Sequence, residues 1–202
     1  MHKCSYCFVK SYRFQAQKDK YEGDIRLVKS ELDRNLGKEK FWFVCSSNDL
    51  FAENVPKTWI DKVLKHCNDN PDNKYLFQTK NPERFHEFEF SDNHFLCITL
   101  ETNKYYNIGR APKIINRFNK FASLEHDNKV VTIEPILDFD LEPFAAMIKY
   151  LKPLWVNIGA DSKNNGLEEP GWAKVEALII LLEKFTKVKL KTNLERLKRC
   201  IN

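Results

Sequence analysis

The sequence predicts an α/β fold: a parallel (βα) repeat forming a partial or open TIM-like barrel of about six strands. Six short segments, most of them near-continuously apolar, read as strands. They alternate with segments of helical period, as expected of parallel βα units with right-handed crossovers. Periodicity alone does not separate a barrel from an open doubly wound sheet. The chain has only six glycines and no Gly-rich turn after its first visible strand, which favours the barrel over a dinucleotide-binding sheet.

Each element follows from local pattern. Apolar residues at 25, 27, 28, 32 and 36 give a helix over Ile25 to Leu36, stopped by Gly37. Phe41 to Cys45 reads as a strand buried on both faces. Pro56 opens a helix to about Asn68 that carries Trp59, Ile60, Val63, Leu64 and Cys67 on one side. Lys74 to Thr79 is the next strand, a short helix starts near Pro82, and His94 to Leu100 is a third strand.

A helix from Pro112 to Leu124 precedes the strand Val130 to Ile133, which ends at Glu134-Pro135 because proline cannot donate to the ladder. Leu141 to Leu151 is helical, Leu154 to Ile158 is a strand, and Gly159-Ala160-Asp161 turns. Glu168 to Phe185 is the clearest helix, followed by a strand over Val188 to Leu190 and a closing helix from Leu194 to Cys200. Asn103 to Gly109 and Asp161 to Gly166 read as mobile loops. No repeat, low-complexity stretch or linker interrupts the 202 residues, so residues 1–202 are read as one domain.

Composition narrows the function classes. The longest apolar run, Ala177 to Leu182, is too short to cross a bilayer, and the polar start carries no apolar h-region; no membrane role is expected. Six cysteines without a framework point to a reducing compartment, hence a cytoplasmic protein. The net charge of +5 permits a nucleic-acid partner without predicting one. Its one local excess, Lys184, Lys187, Lys189, Lys191, Arg196, Lys198 and Arg199, reads first as a solvated face. Cys45, Cys67 and Cys97 are expected to be buried thiols of little reactivity, and His66, His86, His94 and His126 to be ordinary surface residues.

The chemistry-bearing motif is Cys4-Ser5-Tyr6-Cys7. Two thiols separated by two residues can aim at one metal, and this spacing serves iron-sulfur clusters, zinc sites and redox pairs. No strand precedes the pair as a thioredoxin-like site requires. A zinc centre would draw on His2, and a pair without metal is the third option.

Both (βα) architectures seat ligands at the carboxyl ends of strands. Here those ends carry Ser46, Ser47, Asn48 and Asp49; Thr79 and Lys80; Thr99 and Glu101; Glu134; Gly159, Ala160 and Asp161; Lys191 and Asn193. Glu134 stands out, because a carboxylate tight against an apolar strand is costly to bury unpaired. Lys80 and Lys191 are its natural counter-charges, or those of a carboxylate ligand.

Several segments, CSYCF, FVCSSNDLFAENVPKTWI, FQTKNPERF, TLET, TIEPIL, VNIGADS and VKLKTNL, together resemble the phage-associated radical-SAM-like proteins of unknown function, relatives of the radical SAM superfamily. The resemblance implies a 4Fe-4S cluster held by three cysteines of a C-x-x-x-C-x-aromatic-C motif, and S-adenosylmethionine bound to its free iron. Cys4 and Cys7 match the second and third cysteines, and Tyr6 the aromatic beside the adenine. The first cysteine and the strand before it have no counterpart, so the expectation is a chain truncated ahead of Met1.

The resemblance further assigns Ser47, Asn48 and Asp49 to the methionine amino group, in place of the commoner Gly-Gly-Glu. It puts Thr99 and Glu101 at the ribose, and Glu134, Gly159 and Ala160 near the methionine and adenine. It implies reductive cleavage of S-adenosylmethionine, an unknown substrate, and a reductant such as flavodoxin or ferredoxin. The rival reading is a cluster-free barrel acting as a ligand-binding or phage-related interaction protein.

Overall fold

In the computed structural model, residues 2–7, 9 and 23–199 are described. Six parallel strands form one sheet in sequence order: β1 (Phe41–Val44), β2 (Lys74–Thr79), β3 (His94–Thr99), β4 (Lys129–Ile133), β5 (Trp155–Ile158) and β6 (Lys187–Leu190). After the one-turn α1 (Lys29–Leu32), the crossovers carry α2 (Lys57–Asn68), a 3-10 turn (Pro82–Glu87), α3 (Ile114–Ala122), α4 (Leu141–Tyr150) and α5 (Trp172–Glu183). A 3-10 turn (Thr192–Leu194) and α6 (Glu195–Arg199) follow β6. This is the partial TIM-like barrel that the alternation predicts.

Strand side chains alternate between two faces. One set, including Phe77, Leu96, Ile98, Val131, Ile133, Val156 and Ile158, packs against the helices in the main core. It meets Ile60 and Leu64 of α2, Phe144 and Ile148 of α4, and Val175, Leu178 and Leu182 of α5. Rings of Phe51, Phe85, Phe88 and Phe90 extend that core beyond β2, with Phe51 and Phe85 centroids 4.6 Å apart.

The other set lines the concave face in layers. Phe41, Phe95 and Trp155 form its floor; the Phe41–Trp155 centroid distance of 6.1 Å spans from β1 to β5 and so measures how tightly the sheet curls. Leu76, Cys97 and Val130 lie above. A polar layer follows, in which Gln78 Nε2 donates to Thr99 Oγ1 (3.0 Å) and Asn157 Nδ2 to Thr132 Oγ1 (3.1 Å).

Several expectations are corrected. Residues 25–36 form a single helical turn, not a helix: Ile25, Leu27, Val28, Leu32 and Leu36 instead line a 480 Å3 cavity against Trp42, Val63 and Tyr75, and Trp42 Nε1 donates to the Leu36 carbonyl (3.2 Å). β1 is not buried on both faces, because it is an edge strand: Phe41 and Phe43 are 51% and 42% exposed. Cys45 ends β1 at positive φ and is exposed rather than in the core. His94 is no surface residue; it is wholly buried against Tyr75, Phe77 and Phe90. Cys67 and Cys97 are buried as expected. The closing helix is described to Arg199, and Cys200 lies outside the described residues.

Candidate functional site

The carboxyl ends of the strands gather two charged clusters. At the first, beyond β2 and β3, Glu101 is fully buried between two cations: Lys80 Nζ lies 2.7 Å from Oε1 and Arg117 Nη1 2.8 Å from Oε2. Burial raises its pKa, but Lys80 and Arg117 together outweigh it and hold the carboxyl below the usual range. Arg117 also donates to the carbonyls of Pro112 (2.7 Å) and Thr99 (3.1 Å), which fixes its fork.

The N-terminal segment sits on this cluster. Tyr6 Oη donates to Glu101 Oε1 and contacts Lys80 Nζ, while Lys80 Nζ also lies 3.7 Å from Cys4 Sγ. Cys4 and Cys7 share one turn through Cys7 N–H to Cys4 O (3.3 Å). The segment is fastened by Ser5 N–H to Ile108 O (3.0 Å) and Arg110 N–H to His2 O (2.6 Å). A β-carbon at Gly109 would lie 3.0 Å from His2 O and 3.1 Å from Cys4 Cα, so a larger residue there would push the segment back. The loop ending at Gly109, expected to be mobile, is thus the seat of the motif.

Asp49 ties the segment to β2. Its carboxylate accepts from Thr79 Oγ1 (2.8 Å), Phe51 N–H (2.9 Å), Lys80 N–H (2.8 Å) and His2 Nε2 (2.6 Å). His2 therefore faces Asp49 rather than completing a zinc set. Asn48 N–H closes the turn on Cys45 O at 2.9 Å, and Ser47 lies beside it in the same turn.

The second cluster forms beyond β4, β5 and β6. Glu134 is ion-paired to Lys191 and accepts from Asn193 Nδ2 (3.0 Å). Asn193 also bonds both backbone groups of Ala160, accepting from its N–H (3.1 Å) and donating to its C=O (2.8 Å). A β-carbon at Gly159 would meet Glu134 Oε1 at 2.7 Å. The adjoining turn, also expected to be mobile, is organised by Asp161: nearly buried, it accepts from Lys163 N–H (3.2 Å) and Asn165 Nδ2 (2.6 Å).

The contacts bring Tyr6, Lys80 and Glu101 together in one cluster and Glu134, Ala160, Lys191 and Asn193 in another, whereas Thr99 points into the polar layer beneath. Lys191 pairs with Glu134 as expected, whereas Lys80 pairs with Glu101 instead. The chief omission is Arg117. Its signal was present, since a cation at 117 interrupts the stripe of Ile114 and Phe121 at i+3 and i+4 spacing. Gln78, Thr132 and Asn157 were also overlooked; each is a polar residue flanked by an apolar one on its N-terminal side within a strand.

Among the described residues no group of three His, Cys, Asp or Glu side chains could hold a metal ion. The described residues also include no helix long and apolar enough to cross a membrane.

A family model described as "Protein of unknown function (DUF5131)" matches residues 2–174. The chain belongs to that family. The match runs from the cysteine motif through five strands into α5, so it contains the first cluster whole and Glu134, Gly159 and Ala160 of the second, while Lys191 and Asn193 lie beyond it. No similar protein was found among curated proteins.

Two solved structures resemble the fold. A double mutant of spore photoproduct lyase with bound AdoMet and dinucleoside spore photoproduct is 11% identical with a TM-score of 0.50, over 92% of this chain and 58% of that one. Spore photoproduct lyase complexed with dinucleoside spore photoproduct is 10% identical with a TM-score of 0.48, over the same shares. The chain spans a little over half the length of these neighbours, and the first likeness shows a shared fold.

Proposed function

We propose that this family member is a radical SAM type protein whose rim binds S-adenosylmethionine and whose substrate is bound at the same barrel mouth. The observation that carries the reading is the contact between the Cys4–Cys7 turn and the charged strand ends, through Tyr6, Lys80 and Glu101. A thiol motif pressed against paired charges at the carboxyl face of a (βα) barrel suits a small ligand bearing both charge signs.

The side-chain chemistry fits S-adenosylmethionine. Lys80 and Lys191 can answer its carboxylate, Glu134 its amino group or a ribose hydroxyl, and the backbone of Gly159 and Ala160 an adenine edge. Ser47, Asn48 and Asp49 remain candidates for the amino group. Asp49 already has four donors, so it would act by holding the Ser47-Asn48 turn and the N-terminal segment in place. Tyr6 supplies an aromatic face, and Thr99 and Glu101 set the floor and wall on the ribose side. When bound, S-adenosylmethionine supplies a sulfonium carbon–sulfur bond that breaks on one-electron reduction.

A 4Fe-4S cluster does not fit the described residues alone. Cys4 and Cys7 are two thiols, the resemblance asks for three, and no third metal-binding side chain joins them among the described residues. No step is therefore derived through the cluster. Cys4 and Cys7 are proposed as two of its ligands, with the third from outside the described residues and the electron from a flavodoxin or ferredoxin.

The short donor set supports a second reading, a cluster-free barrel that uses the same rim for a nucleotide-like ligand. Anaerobic reconstitution with iron and sulfide, read by visible absorption and metal content, together with equilibrium dialysis of S-adenosylmethionine, separates the two. About four irons per chain and cofactor binding support the radical SAM reading. Cofactor binding without iron supports the second, and binding of neither overturns both.

A further inference from the structure

The open side of the barrel lies between its two edge strands, β1 and β6. Along β6, Lys187 and Lys189 occupy alternate positions, so both side chains leave the strand on the concave face, their α-carbons about 6.6 Å apart. Lys189 Nζ lies 4.1 Å from the Trp155 ring centroid, which fixes that face as the concave one. Both lysines are exposed, and among the described residues neither has an acidic partner.

Across the opening, β1 presents Phe41 and Phe43, each more than two-fifths exposed. Phe41 packs 6.1 Å from Trp155, so rings and ammonium groups form one continuous surface, Phe41 to Trp155 to Lys189. Deeper on the same face stand the half-buried amides of Gln78 and Asn157.

Lysines on an edge strand can serve merely to block pairing with another chain. That service calls for no exposed aromatic rings opposite them. Cations spaced along a groove with ring faces beside them are what a flexible polyanion carrying flat heterocycles requires.

We propose that this groove binds a single-stranded nucleic acid, with phosphates on Lys187 and Lys189 and bases on Phe43, Phe41 and Trp155. Between these rings and the rim lie the buried Leu76, Cys97 and Val130, so the groove is a binding surface in its own right and does not rest on the cofactor reading.

The test is fluorescence anisotropy of a labelled single-stranded oligonucleotide of about 12 nucleotides, as DNA and as RNA, over a series of salt concentrations. A duplex of the same sequence is the comparison. The wild-type chain is expected to prefer the single strand. K187Q/K189Q should weaken binding at least tenfold and flatten the slope of log affinity against log salt by about 1.4, the value for two lost phosphate contacts. F43A should weaken binding while leaving that slope unchanged. K184Q/K198Q, which removes as much charge elsewhere, should do neither.

Absence of binding, preference for the duplex, or an equal loss in K184Q/K198Q would each overturn the groove and leave Lys187 and Lys189 as edge guards. Dialysis of S-adenosylmethionine without oligonucleotide keeps the two proposals apart. Oligonucleotide binding without cofactor binding sinks the cofactor reading alone, and the reverse sinks the groove alone.

Discussion

Gly159 and Glu134 share one space: the hydrogen on the Gly159 α-carbon stands where any larger residue would put a β-carbon, 2.7 Å from Glu134 Oε1. The missing side chain is what lets the carboxylate lie across the end of β5 and meet Lys191 and Asn193.

G159A should therefore push the Glu134 side chain off its partners. The fold should lose only about 1 to 3 kcal/mol, typical of an extra methyl in a packed place. Affinity for S-adenosylmethionine, by equilibrium dialysis, should fall at least tenfold. An unchanged affinity would show that Glu134 has no part in the site.

Arg117 and Glu101 test a different balance. Removing one partner of a buried ion pair leaves the other charge uncompensated, at about 3 to 5 kcal/mol. R117M should lose less than that in urea unfolding, because Lys80 still faces the buried Glu101 at Oε1. The double variant E101Q/R117M should lose more than R117M, since Lys80, largely buried, is then left without its carboxylate. Equal stability of the single and double variants would contradict the coupling.

His94 makes stability depend on pH. Burial, with His126 nearby, lowers its pKa from 6.5 to about 4. The unfolded chain thus takes up a proton that the folded chain refuses. This contribution is complete above about pH 6.5 and is lost as the pH falls toward 4. Nδ1 accepts from Ser91 N–H at 3.3 Å, Nε2 has no hydrogen-bond partner among the described residues, and the surrounding Tyr75, Phe77 and Phe90 add no acid to stabilise a charge. H94F should flatten the slope of unfolding free energy between those pH values. An unaltered slope would assign it to other groups.

Thiol reactivity should divide by place. Burial pushes the Cys67 and Cys97 thiols up to about 12, so neither forms thiolate at neutral pH. Cys45 is exposed. Iodoacetamide at pH 8 followed by peptide mapping should modify Cys45 in the folded protein and reach Cys67 and Cys97 only after denaturation. Modification of Cys97 in the native state would mean that the concave face opens far more than its packing implies.

The fold was legible because strand and helix periods differ, and all six strands carried enough apolar residues to be found within one residue at either end. Burial was harder to read. Phe41 and Phe43 look like core residues in sequence, yet their strand is the last in the sheet, and edge position is a property of topology. The stretch 25–36 has the right count of apolar residues for a helix, but they face a cavity from a mostly extended chain. The rim was legible as a set of strand ends and not as pairs, since which cation meets which carboxylate depends on the curl of the sheet. Lys80 was thus given to the wrong glutamate. Arg117 shows the opposite case, a signal available in the helical stripe and passed over.

The three rings at the base of the concave face, Phe41, Phe95 and Trp155, come from alternate strands of the sheet. They act as a clasp: three strands that are not neighbours are tied to one another across the concave face, so the curvature of the sheet is held by side-chain packing as well as by its ladder of hydrogen bonds.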